Sequence, residues 1–155
     1  MKKNTLGSAE IEARVNGFAL ACKERGLRLT HQRLEVYRAL SRAKDHPTAE
    51  MLYHRVRKRV PTISLDTVYR TLGSLEEEGF IARVGTAMSS ARFEFNPEPH
   101  HHFVCVCCGG IRDVDANSLN HAALAKHLPK TYQVLSSHVE FRGLCPDCLD
   151  RNPKT

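Results

Sequence analysis

The chain has 155 residues, 41% of them hydrophobic, which suffices for one ordinary domain or two small ones and excludes a wholly disordered chain. No apolar run approaches the roughly 20 residues that cross a bilayer, and Met1–Thr5 leads into no signal-peptide core, so a soluble, cytoplasmic protein is expected. The net charge of +6 is uneven: residues 1–92 hold 17 Lys/Arg against 10 Asp/Glu, and residues 93–155 hold 6 against 7. A basic first half either meets a polyanion or is simply a solvated basic surface.

Residues 1–9 are polar and read as a disordered start. From Ile11 to about Arg25 the apolar positions Ile11, Val15, Phe18 and Cys22 recur at helical spacing, and Gly26 stops the run. Cys22 lies on that stripe and reads as a small core residue. Thr30 is an N-cap for a second helix with Leu34, Tyr37 and Leu40 inward. Thr48 caps a third, Ala49 to about Arg59, with Leu52, Tyr53 and Val56 inward and Pro61 as terminator. Ser64 caps a fourth, whose stripe Leu65, Val68, Leu72 and Leu75 turns Asp66, Thr67, Arg70, Thr71 and Ser74 to solvent until Gly79 ends it. Extended pieces Phe80–Val84 and Ala91–Phe95 follow, joined by residues 85–90.

Short helices followed by a two-stranded hairpin form the layout of a winged helix-turn-helix, whose last helix enters the major groove. Arg70 there can reach phosphate or guanine, Tyr69 can support either role, and Thr67 faces solvent on the same helix. The run Arg55, Arg57, Lys58 and Arg59 reinforces a nucleic-acid reading over that of a plain helical domain.

Asn96-Pro97-Glu98-Pro99 reads as a stiff hinge. Beyond it, 103–114 resembles a strand pair around Gly109-Gly110, 119–128 is helical in pattern, and 133–144 alternates like a strand. The expected class is α+β: a winged-helix domain over 1–92, a hinge over 93–99, and an α/β domain over 100–155.

Six cysteines in a reducing compartment read as metal ligands or buried thiols. Cys105 with Cys108, and Cys145 with Cys148, form two C-x2-C knuckles, each able to aim two thiolates at one ion. The 36 residues between the pairs make the ion a joint between distant pieces of one domain. Four thiolates leave no open coordination position, which marks a structural zinc, and Cys107 is read as a thiol outside the set. A redox pair would need a thioredoxin-like setting, which is not evident.

Nine histidines include the tract His100-His101-His102, flanked by Glu94 and Asp113, while His46 precedes a helix start. Imidazole with carboxylate suits Fe(II), Mn(II), Zn(II) or Ni(II). No HExxH, nucleophile–base pair or phosphate loop favours a metalloenzyme.

In order along residues 11–150, the stretches Leu29-Thr30-His31-Gln32-Arg33, His46-Pro47-Thr48-Ala49-Glu50, Leu65–Leu72, Arg92-Phe93-Glu94-Phe95, His100–Gly109 and Gly143–Cys148 resemble the ferric uptake regulator family. The resemblance implies a dimeric metal-dependent repressor with a C-terminal dimerisation domain, a palindromic duplex-DNA operator, a four-cysteine zinc and a regulatory metal between domains. It carries the regulatory ligands onto His46, Glu94, His100, His102 and Asp113. Within the family, Asp113 looks like the peroxide-responsive repressors, in which Fe(II) reacts with peroxide and a histidine ligand is oxidised, here His46 or His100. Glu94 and Arg70 look like the iron-uptake branch, so iron- or zinc-uptake regulation is the alternative. A further metal site near His101, His121 and His138 is poorly matched, since Pro99, Asn120 and Ser137 stand at the ligand positions. The alternative of another class is a zinc-stapled protein-interaction module, which would bind duplex DNA without steep salt dependence.

Overall fold

The computed structural model describes residues 7–84, 91–95, 100–115, 127–133 and 139–151. The chain divides into two compact units, Met1–Asn96 and Pro97–Thr155.

The first unit opens with four helices, α1 (Ser8–Glu24), α2 (His31–Ser41), α3 (Ala49–Arg57) and α4 (Leu65–Glu77). Three N-caps set their starts: the hydroxyls of Thr30, Thr48 and Ser64 accept the backbone N–H groups of Arg33, Met51 and Thr67. Gly26 and Gly79, at φ +68° and +73°, adopt the left-handed conformation that closes α1 and α4. The core takes Val15, Phe18 and Cys22 from α1, Val36 and Leu40 from α2, Leu52 and Val56 from α3, and Val68, Leu72 and Leu75 from α4. Leu65 and Tyr53, expected inward, are only half-buried, whereas Val60 and Ile63 in the α3–α4 connection are buried.

Strands β1 (Ala82–Val84) and β2 (Arg92–Glu94) pair antiparallel, with Arg83 opposite Phe93. They are shorter than their apolar patterns, and Phe93 enters the core. Thr48 bridges to Arg92, so the start of α3 is tied to β2.

In the second unit, β3 (His100–Cys105) lies between β4 (Ile111–Asp115), antiparallel, and β5 (Glu140–Gly143), parallel. A six-residue helix, α5 (Pro146–Arg151), follows. The strand pattern over 133–144 is realised only as β5 among the described residues, because its pairing with β3 begins where Glu140 meets His102. The helix expected over 119–128 lies almost wholly outside the described residues, and His127 and Leu128 form a turn.

Candidate functional site

Two knuckles converge in the second unit. Parallel register sets Gly143 beside Cys105, which brings Cys145, two residues further on, against the end of β3. The Cys105 turn closes through Gly109 N–H to the Cys105 carbonyl at 2.9 Å and Cys105 N–H to the Gly110 carbonyl at 2.8 Å. Gly109 takes φ +67° there, and a Cβ on Gly110 would stand 3.3 Å from the Cys108 sulfur. The second knuckle is the first turn of α5, where Cys148 N–H donates to the Cys145 carbonyl at 3.0 Å.

The ligand atoms of Cys105, Cys108, Cys145 and Cys148 all lie within 4.8 Å of one another. Cys108 Sγ and Cys145 Sγ are 3.8 Å apart. That is too long for a disulfide and equals the edge of a tetrahedron with Zn–S of about 2.3 Å, which is about 3.8 Å. Backbone N–H groups of Cys108 and Cys145 aim at Cys105, pulling its thiol down to about 6, with Cys145 N 3.3 Å from its sulfur. The Cys148 thiol is pushed up, chiefly by its bond with Cys145. Four thiols this close cannot all ionise without a cation between them, and the donor set suits structural zinc. Cys107 is exposed in the same turn.

The histidine tract is strand β3. Period two puts His100 and His102 on one face, and antiparallel pairing sets Asp113 opposite His102. Their Nε2 atoms are 2.9 Å apart, and Asp113 Oδ1 lies 3.7 Å from His100 Nε2 and 3.9 Å from His102 Nε2. His101, on the opposite face, is 1% exposed and accepts the Val139 N–H at Nδ1. His121 and His138 lie outside the described residues.

His46 and Glu94 meet within the first unit: Nε2 and Oε2 are 3.0 Å apart, and both residues are buried. Each pairing joins imidazole with carboxylate, the donors a divalent first-row ion takes.

Thr67, Tyr69 and Arg70, the residues expected to face DNA, lie on α4, with Tyr69 and Arg70 exposed. Arg70 is 82% exposed at its side chain, with Asp66 3.9 Å away. The Tyr69 hydroxyl donates to Glu50 on α3, which holds the Glu50 carboxyl below its usual range and raises the tyrosine. Thr67 Oγ1 is 2.8 Å from Ser64 Oγ. The basic run is partly engaged already: Arg55 pairs with Asp45 and Arg59 with the buried Glu35. These partners sequence reading missed, because a charged residue in helical periodicity reads as exposed.

The ferric uptake regulator family model matches residues 24–142. This chain belongs to the ferric uptake regulator family. It is 32% identical over 142 residues to the peroxide-responsive repressor PerR of Staphylococcus aureus, covering 91% of this chain and 95% of that protein. Among solved structures, the Helicobacter pylori ferric uptake regulator Fur, described as having three functional metal binding sites, superposes with TM-score 0.74 at 29% identity over 89% of this chain and 93% of that one. A zinc uptake regulator complexed with zinc and DNA superposes with TM-score 0.61 at 26% identity over 93% and 98%. Ferric uptake regulator proteins are metal-responsive transcription regulators, and this chain is one by family. No helix among the described residues is long and apolar enough to cross a membrane.

Proposed function

We propose that the chain is a cytoplasmic, homodimeric repressor that binds a palindromic DNA operator in its metal-loaded form and releases it after peroxide oxidises a histidine ligand. Residues 1–92 serve as the DNA-binding part, 93–99 as hinge and 100–155 as the dimerisation part. Thr67, Tyr69 and Arg70 face DNA, and Cys105, Cys108, Cys145 and Cys148 hold the structural zinc. His46, Glu94, His100, His102 and Asp113 hold the regulatory ion, Fe(II) or Mn(II), with Zn(II) also accommodated by such donors.

One observation carries the peroxide reading: two imidazoles with Nε2 atoms 2.9 Å apart face Asp113 rather than a glutamate. The likeness to PerR supports it. Fe(II) held by these donors would supply one-electron chemistry toward hydrogen peroxide, lending an electron to break the O–O bond and recovering it, with no net change at the metal. A ring carbon of His46 or His100 then gains one oxygen atom, and the other peroxide oxygen leaves as water. His102 and the carboxylates keep the ion in place, and the burial of His46 and Glu94 limits exchange with solvent.

The test treats Fe(II)- and Mn(II)-loaded protein with stoichiometric peroxide, then measures operator binding and peptide masses. The expected result is loss of binding and one added oxygen on His46 or His100, in the Fe(II) form alone. Unmodified Fe(II) protein that keeps its operator overturns the peroxide reading and leaves iron- or zinc-responsive repression.

A further inference from the structure

We propose that Arg92 is a positioning residue for the regulatory metal site, locking the backbone of His46 in the conformation that turns its imidazole toward Glu94. His46 has φ +46°, a left-handed conformation that few residues with a side chain adopt. Such a conformation persists only where its surroundings over-determine it, and here they do. The Arg92 Nη1 donates to the His46 carbonyl at 3.0 Å. Next in the chain, Phe93 N–H donates to the Pro47 carbonyl at 3.0 Å. Thr48 then bridges to Arg92 itself. On the other side, Asp45 accepts both terminal nitrogens of Arg55, at 2.9 and 2.5 Å.

The sequence explains why a side chain has this task. Pro47 brings no N–H and disfavours the right-handed helical conformation in the residue before it, so the turn cannot be stabilised by a continued helix. Arg92 and Glu94 are two apart on β2 and share a face. One strand therefore presents a carboxylate to the His46 ring and a guanidinium to its carbonyl. Guanidinium is suited to this because its donors are planar and permanently charged.

The inference rests on His46 being a ligand, and the test separates the two. Full-length, zinc-loaded protein is titrated with Mn(II), with free Mn(II) read by electron paramagnetic resonance, for wild type, Arg92→Ala, Arg92→Lys, Arg92→Gln and His46→Ala. Partners that orient a ligand usually contribute about 10–100-fold to metal affinity. Arg92→Ala is expected to weaken Mn(II) by that factor with its zinc retained, and Arg92→Lys to recover part of it. The visible spectrum of the Co(II) form is expected to change in Arg92→Ala, as the His46 ring is freed. Wild-type Mn(II) affinity in Arg92→Ala, beside lost affinity in His46→Ala, overturns the positioning role alone, even if Arg92→Ala melts earlier. Wild-type affinity in His46→Ala overturns the ligand and the positioning role together. Should Arg92→Ala lose its zinc, Arg92→Lys and Arg92→Gln decide by the same comparison: Lys above Gln supports the role, and both at wild-type affinity overturn it.

Discussion

Replacing Cys145 with serine tests how much of the second unit depends on its zinc. Among the described residues of that unit, the buried apolar side chains are Val104, Cys105, Ile111 and Cys148, two of them cysteines of the cluster. Burying Val104 and Ile111 contributes about 1.5–3 kcal/mol each, whereas structural zinc in small domains contributes about 10–16 kcal/mol. Shared evenly over four thiolates, the lower figure gives about 2.5 kcal/mol per ligand, close to two decades in affinity. Serine keeps the backbone N–H that bonds the Cys105 sulfur and the carbonyl that starts α5, so this figure counts the thiolate alone. Cys145→Ser is therefore expected to surrender zinc to a chelator that leaves the wild type loaded. In circular dichroism the signal of α1–α4 should survive, since the core around Leu52 and Leu72 draws only on residues before Asn96. A variant that keeps one chelator-resistant zinc per chain and melts as the wild type does would refute the argument.

Leu72→Ala removes a fully buried side chain from α4 and should cost about 2–5 kcal/mol, read as a drop in Tm on the order of 10 °C; a shift of a degree or two would contradict the core assignment. The Arg55 guanidinium holds the Asp45 carboxyl below its usual range. A depressed folded value gives stability that is complete above the unfolded carboxylate value of about 3.9 and is lost as pH falls through the folded value. Denaturant titrations near neutrality and in acid should thus show a shallower acid loss for Asp45→Asn, by a small amount because the pair is half-exposed. Arg70→Ala is expected to weaken operator binding, either with the salt slope reduced by about one or, for a base contact, by about 1–3 kcal/mol with relaxed specificity; unchanged binding would remove Arg70 from the interface.

The helices of the first unit were legible because their signals are local. Thr30, Thr48 and Ser64 each cap through the third backbone N–H that follows, and Val68, Leu72 and Leu75 repeat on one face of α4. The strand pair expected over 103–114 was legible in part, since β3 begins three residues earlier, at His100. What remained hidden depends on distant pairing. Alternation over 133–144 cannot tell that β5 runs parallel to β3, or that among the described residues the strand is Glu140–Gly143. Glu35 reads as a solvated helix residue, yet it is 3% exposed because Arg38 and Arg59 close over it. Arg92 stood out in the sequence only as part of the stretch Arg92–Phe95, because its role depends on a carbonyl 46 residues earlier.

The proposed ligand set also accounts for why one ion can regulate and the other cannot. All four thiolates of the cysteine cluster come from the second unit, so zinc affinity there cannot depend on how that unit is placed relative to the first, and such an ion shifts no equilibrium between placements. The regulatory donors divide differently: His46 and Glu94 belong to the first unit, and His100, His102 and Asp113 to the second. On the proposed ligand set, each unit supplies only part of the donors, so the ion would bind more tightly to a conformer that presents both. That preference is the differential affinity regulation needs, and a shift from 1:99 to 99:1 takes about 10⁴-fold. On the peroxide reading proposed above, oxidising a single imidazole would return the population to the form that does not bind DNA, with the zinc and the fold of each unit left intact.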